Sequence, residues 1–450
     1  LNHRELLNVP LSESFMPTAG ARNPELVRLD AAAIADATRT LAPASLLLDV
    51  NPARAASPLL VLAADAPAQV DRHPAAANAR RVSLPNRLLI PGLVNVHTHL
   101  DLTSIGPRPY AGDFSGWLDM VRRGRPTEPS DIAAAVAEGA RLSLASGVVA
   151  VGDIAGAPRG QPTLAPAEAL AAAGLAGVSF LEFFAIGKGT GAIDRIQHLA
   201  KSAPRSIGPV RVGLQPHATG TVGLAGYRWA GEMAARGWPV SSHVAETLDE
   251  RELVAKATGP QREFLQRLAL WDDSLLREFA RGLSPIQHLR EVLERAPFLL
   301  AHVNDASDAD IELLARTKQS VAYCPRASVY FGNHAIIGPH RYRDMLAAGV
   351  NVCLGTDSII NQHPEGGLSI WREMKLLFQR DHAPARDLLA MATVNGARAL
   401  ALNAEQWTFA PDRAICAVAS VVVSPTARGR DPLESALESS TEPELLWRAN

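Results

Sequence analysis

The sequence predicts an α/β protein: a (β/α)8 barrel over residues 88–402, with a small β domain built from residues 1–87 and 403–450. Three observations lead there. Eight near-continuous apolar runs alternate with helical stretches between residues 93 and 357. Runs that are apolar on both faces suit parallel strands covered by helices. Histidines and carboxylates recur at the far ends of five of those runs, which is where a barrel of this kind gathers its chemistry. At 450 residues and 47% hydrophobic, the chain can bury one large core and a smaller second one.

The N-terminal part is rich in Ala and Pro, with short apolar runs at Ser45–Val50, Leu59–Ala63 and Arg81–Leu84. Bounded by turn residues, these read as short strands, and the Ala-rich stretches around them suit helix equally. The eight candidate barrel strands are residues 93–99, 147–154, 177–186, 209–217, 239–245, 297–303, 319–325 and 350–357. Helical stretches fill the gaps, for example from Asp131, Asp310 and Ser369, and the gap 246–297 has room for more than one helix. Such barrels run to about 250 residues and reach about 400 with insertions. An open doubly wound sheet is the alternative, but no Gly-x-Gly-x-x-Gly follows any strand. Ala414–Val423 reads as one or two strands pairing with the N-terminal ones, and Asp431–Asn450 as a helix or a loose tail.

A formal net charge of −2 argues against nucleic acid or an anionic membrane as a partner. The three cysteines, Cys324, Cys353 and Cys416, form no disulfide framework and suit a reducing cytoplasm. No uninterrupted apolar run reaches the roughly 20 residues of a membrane helix. The first residues lack the basic-then-apolar layout of a signal peptide. A cytoplasmic protein is expected.

His97 and His99 close the first candidate strand. Side chains alternate along a strand, so the two share a face, and paired imidazoles can grip one metal ion. Later strand ends add Gln215-Pro-His217, His243-Val-Ala-Glu246, His302 and Gly355-Thr-Asp357-Ser358, so five of the thirteen histidines fall at strand ends. The other eight (His3, His73, His198, His288, His334, His340, His363 and His382) read as surface residues.

A catalytic divalent centre wants three or four nitrogen and oxygen ligands and an open position for water. His97, His99, His243 and Asp357 supply that set. The metal would lower the pKa of its water to about 7, giving hydroxide at neutral pH. Asp357 would ligate the metal and take the proton of the water, or else cap a helix. Glu246 lies three residues past His243, on the opposite face of a regular strand. Where the strand ends the chain turns, and both can reach the barrel mouth. A carboxylate there can move protons between nucleophile, ring nitrogen and leaving group, with a helix cap again the rival reading. His302 would hydrogen-bond the water or the tetrahedral centre, or sit in the core. His217 would touch substrate, or be structural.

Together, Pro91-Gly-Leu-Val-Asn-Val-His-Thr-His99, His243-Val-Ala-Glu-Thr247, Leu300-Ala-His302-Val and Leu354-Gly-Thr-Asp-Ser358 resemble the amidohydrolase superfamily, in its mononuclear deaminase and chlorohydrolase branch. The resemblance implies a distorted barrel with a composite β-sandwich, Glu246 as proton shuttle, and His302 and Asp357 activating the water. Binuclear relatives carry a bridging lysine on strand four. Here that strand ends in Gln-Pro-His217 and the nearest lysine, Lys188, follows strand three, which favours one metal: zinc, with iron the alternative. Asp113-Phe-Ser-Gly-Trp117 and Tyr323-Cys-Pro-Arg326-Ala-Ser-Val-Tyr330-Phe-Gly332 look like the aminodeoxyfutalosine deaminases of the menaquinone route. The subfamily pattern expects Ser-His where this chain has Ala327-Ser328. By this resemblance Trp117, Ser358 and Arg326 join His217 as candidate substrate contacts. Arg326 and the Arg122-Arg123-Arg125 run are candidates for a substrate carboxylate, the run reading rather as a solvated helix face.

The expected function is a metal-dependent hydrolytic deaminase of an aminopurine nucleoside-like substrate, releasing ammonia from the attacked ring carbon. Rivals on the same site are guanine, S-adenosylhomocysteine or triazine chemistry, or opening of a cyclic amide, since specificity lies in loop side chains. Rivals of other kinds are a non-catalytic binding barrel and a structural metal site, which is usually closed and often uses cysteine. A homodimer is expected by analogy.

Overall fold

The computed structural model describes residues 24–54, 58–364, 367–423 and 431–448; the reading made for His3 lies outside them. Eight parallel barrel strands are present, each within a few residues of its expected place. The first four are Leu93–His99, Val148–Ala155, Ala176–Phe183 and Val210–Pro216. The last four are Ser241–Val244, Leu299–His302, Ser320–Tyr323 and Asn351–Leu354. Every residue of the first and second strands is buried, as expected of runs apolar on both faces.

The strands pair in two groups, one to four and five to eight. Two seams close them into a ring. Between the fourth and fifth strands there are only isolated parallel bridges, Leu214 to Val240 and Ala218 to His243. Between the eighth and first, the two-residue strand Asp357–Ser358 pairs with Thr98 and His99. Both seams fall where the candidate site residues lie.

Helices pack outside the ring. Pro129–Ala145 buries Ile132, Ala135, Val136, Gly139, Ala140 and Ser143, one stripe at helical spacing. The long gap carries four helices, Leu248–Lys256, Pro260–Arg267, Pro285–His288 and Arg290–Leu293, as its length suggested.

Strands from both chain ends share one eight-stranded sheet. Its order is Arg413–Ala414, Leu59–Asp65, Ala44–Val50, Glu25–Ala35, Arg80–Pro91, Ala417–Val422 and Glu444–Arg448, with Thr40–Leu41 beside Glu25–Ala35. Two local readings that the sequence left open are decided here, and one strand it did not expect is added. The Ala-rich Glu25–Ala35 is a strand because it is paired along both edges, to Ala44–Val50 and Arg80–Pro91. The C-terminal stretch is a helix, Pro432–Glu438, followed by a strand, Glu444–Arg448, that pairs with Ala417–Val422 and buries Leu446 and Trp447. Among the described residues no helix is long and apolar enough to cross a membrane.

Candidate active site

The first strand delivers His97 and His99, 0% and 7% exposed, on one face as alternation requires. The eighth strand reaches them because of two local devices. Gly355 lies so close that a Cβ there would meet His97 Cβ at 2.8 Å and the His97 carbonyl at 2.9 Å. Asn95 then clamps the neighbouring residue twice, donating to Thr356 Oγ1 at 2.8 Å and accepting from the Thr356 N–H at 3.1 Å. The next residue is Asp357.

Three of these strand ends turn through the left-handed region, which side chains disfavour. Ala245 has φ +54°, His302 +71° and Asp357 +56°. The Ala245 turn is why Glu246 reaches the mouth beside His243 despite a spacing that a regular strand would split between faces. It also removes the helix-cap readings. Thr247, not Glu246, caps Leu248–Lys256, accepting from the Glu250 N–H. Asp357 Oδ2 accepts from Asn361 Nδ2 at 2.8 Å, and its other oxygen faces the histidines.

Four imidazoles converge. The His99 and His243 Nε2 atoms lie 3.3 Å apart, and Asp357 Oδ1 lies 3.5 Å from His99 Nε2 and 3.8 Å from His97 Nε2. Two triads are compact enough to hold a metal ion, with potential ligand atoms within 4.8 Å of one another: His97, His99 and His243, and His97, His302 and Asp357. Glu246 Oε1 stands 3.6 Å from His302 Nε2.

The donor set fits a metal. His243 Nδ1–H donates to the His217 carbonyl at 2.8 Å, so its Nε2 lone pair faces the centre. His97 Nε2, which faces the centre, is buried with no hydrogen-bond partner, a costly state that ligation of its lone pair relieves. Burial, then mutual repulsion, pushes the pKa values of His97 and His99 well down, and burial lowers those of His243 and His302. Neutral rings keep their lone pairs for a metal. Burial raises Glu246, and raises Asp357 to about 6.

His217 sits at the edge of this cluster, its ring 5.0 Å from that of His243 and 4.7 Å from that of Phe184. Its Nδ1 bonds Thr221 Oγ1 at 2.7 Å, and its Nε2 lies 3.9 Å from Glu182 Oε1. Trp117 joins an aromatic cluster with Phe114 and Phe331, their ring centres 5.7 and 5.1 Å from its own. Ser358 is 1% exposed and donates to Asn361 Oδ1 at 2.7 Å, so it supports the partner of Asp357. The charges acting on Arg326 are Glu373, Arg372 and Glu442, on the helix Ile370–Asp381 and the C-terminal segment, not the histidine centre.

The arginine run divides. Arg122 is exposed and pairs with Asp119 at 3.2 Å, as a solvated face would. Arg125 is half-buried and sits between Glu182 Oε2 at 2.6 Å and Asp101 Oδ2 at 3.3 Å. Burial would raise Glu182, but Arg125, His217 and His99 outweigh it and hold it at about 2. Two of the histidines read as surface are buried. The His288 ring lies 5.5 Å from that of Phe279, tilted by 39°, and His340 Nε2 donates to the His302 carbonyl at 2.9 Å. Asn95, Glu182, Asn361 and Glu250 support the centre without having been singled out. The sequence signal for each is only a polar residue within four positions of a motif or inside an apolar run.

Residues 88–406 match the model of the Amidohydrolase family. The chain is 31% identical over 360 residues to the aminodeoxyfutalosine deaminase of Deinococcus radiodurans, covering 75% of this chain and 78% of that protein. It is 32% identical over 206 residues to a 5-methylthioadenosine/S-adenosylhomocysteine deaminase of Pyrococcus horikoshii, covering 43% of this chain and 42% of that one. Among solved structures, Helicobacter pylori aminofutalosine deaminase in complex with methylthio-coformycin superposes with a TM-score of 0.72 at 20% identity, covering 94% of this chain and 98% of that one. The chain belongs to the amidohydrolase family and is a hydrolase of C–N bonds.

Proposed function

We propose that the protein is a metal-dependent deaminase that removes an amino group, by hydrolysis, from the ring of an aminopurine nucleoside-like substrate. The observation that carries this reading is the convergence of His97, His99, His243 and Asp357 beside a carboxylate, Glu246, that is free of any capping role. In this reading those four residues hold one divalent ion. Three nitrogens and one carboxylate oxygen suit zinc, with iron as the alternative. The ion, when bound, supplies a Lewis acid that brings the pKa of water to about 7.

The residues of the chain do the rest. Asp357 orients the attacking water through the oxygen that Asn361 leaves free and accepts its proton. His302, whose Nε2 lies 3.6 Å from Glu246 Oε1, donates a hydrogen bond to the oxygen that becomes attached to the ring. Glu246, whose pKa burial raises, gives a proton to the ring nitrogen, takes the remaining proton from the oxygen now on the ring carbon and hands it to the departing amine; ammonia leaves, a carbonyl remains, and the proton held by Asp357 restores Glu246. His217, at the edge, contacts the substrate. Aminodeoxyfutalosine is the leading substrate, supported by the Deinococcus relative and its coverage. 5-Methylthioadenosine or S-adenosylhomocysteine is the second reading, supported by the Pyrococcus relative.

The test is ammonia release by zinc-loaded protein from each compound, with a chelated control. Release that stops on chelation is the expected result. Metal bound without release from either compound would discard these substrates. Glu246→Gln should keep its metal and lose at least about a hundredfold in kcat, and full activity would sink its assigned role. His97→Ala should lower bound metal, and unchanged stoichiometry would refute ligation.

A further inference from the structure

Glu250 is 3% exposed, and both of its carboxylate oxygens are engaged. Oε1 accepts the Thr219 hydroxyl, and Oε2 accepts the backbone N–H of Glu246 at 2.8 Å. It stands in the first turn of Leu248–Lys256, whose cap, Thr247, accepts the Glu250 N–H at 3.2 Å. In a reciprocal capping box the acid returns to the N–H of the cap residue itself. The helix Asp308–Arg316 shows such a box for comparison: Asp310 Oδ2 accepts from the N–H of its cap, Ser307, at 2.9 Å. Glu250 instead passes over its cap and grips the residue before it.

That residue follows the strained turn at Ala245, φ +54°. Its carbonyl is tied as well, accepting from Asn304 Nδ2 at 3.1 Å. The main chain of Glu246 is therefore fastened at both polar atoms, while its side chain points to His302. Thr219, the other partner of Glu250, lies two residues past His217, whose carbonyl orients His243. One carboxylate thus fastens the turn carrying Glu246 to the loop carrying His217.

We propose that Glu250 is a positioning residue for this reaction, holding the backbone of Glu246 so that its carboxylate stays at proton-transfer distance. The inference rests on the deaminase reading and adds to it a residue that touches neither metal nor substrate. Glu250→Gln can keep both bonds, its amide oxygen taking the Glu246 N–H and its NH2 donating to Thr219. Glu250→Met fills the space, keeps the helix and leaves the Glu246 N–H unheld.

The experiment measures kcat, KM, bound zinc and Tm for wild type and both variants, with aminodeoxyfutalosine and 5-methylthioadenosine as probes. Glu250→Met should lose about 10- to 100-fold in kcat, with KM and zinc content unchanged, as expected for a small misplacement of a reacting group. Glu250→Gln should recover most of that loss. If Glu250→Met fails to fold, Thr219→Val removes one of the two anchors and should lower kcat about three- to tenfold with KM unchanged. A fall in Tm with kcat per zinc-loaded molecule unchanged, in whichever of Glu250→Met and Thr219→Val folds, assigns Glu250 to helix stability alone and overturns the inference. A wild type that releases no ammonia from either probe discards both substrates, and this inference, which is framed on their turnover, falls with them.

Discussion

At the scale of single residues, the same side chain type does different work according to what its second atom touches. Asp357 is read from the sequence either as ligand or as cap, and the hydrogen bond from Asn361 decides between orientations by occupying Oδ2 and turning Oδ1 to the histidines. Ser358 and Asn361 then act in series, hydroxyl to amide to carboxylate. Outer partners of this kind are commonly worth 10- to 100-fold in affinity or activity. Asn361→Ala should accordingly lose about tenfold or more in zinc affinity or kcat, read by metal titration and steady-state rates. Values matching wild type would mean that Asp357 is held by something else. Ser358→Ala should act in the same direction and more weakly.

At the scale of elements, the site lies on the two seams of the barrel. The fifth to eighth strands are four residues each, against seven or eight for the first four. Short strands end early, and left-handed residues mark where three of them stop: Ala245 just past the fifth, His302 at the end of the sixth, and Asp357 three residues past the eighth. Gly355 lets the eighth strand lie against His97. Gly355→Ala would force that contact apart, costing about 1–3 kcal/mol as overpacking does, and should lower zinc affinity together with Tm. A variant with normal Tm and normal zinc content would show that the seam yields freely.

The helix Pro285–His288 allows a pH test away from the centre. Burial pushes His288 down to about 4, so between its unfolded value and that point the unfolded chain binds the extra proton. Stability from this residue is present at neutral pH and lost as pH falls from about 6.5 to about 4, by up to roughly 3 kcal/mol. His288→Phe should flatten that part of the Tm-against-pH curve. An unchanged slope would place the acid sensitivity elsewhere.

At the scale of the whole molecule, a metal held as proposed by His97, His99, His243 and Asp357 would tie the first and fifth strands to the segment after the eighth. A ligand that binds only the folded state stabilises by about 4 kcal/mol at a thousandfold excess over its Kd. Chelation should therefore lower Tm as well as stop turnover, and restored zinc should recover both. Loss of turnover without any change in Tm would mean that the ion contributes little to holding the ring. The chain ends belong to the same accounting, since the last strand, Glu444–Arg448, packs Trp447 into the small sheet core and pairs Glu444 with Arg87 at 2.8 Å.

The sequence by itself determined the alternation of strand and helix, the eight barrel strands to within a few residues, and the strand ends carrying His97, His99, His217, His243, His302 and Asp357. These are legible because periodicity and chain position are local, and a parallel strand buried on both faces writes its whole length as apolar residues. Only the tertiary structure decided the rest. Arg125 differs from Arg122 because Glu182 and Asp101 surround it; Ser358 faces Asn361; His340 braces His302; Glu25–Ala35 and Glu444–Arg448 are strands because other strands of the sheet pair with them. In each case the partner lies on a separate turn, strand or helix, so the deciding energy is a buried hydrogen bond, ion pair or ladder that no local window contains.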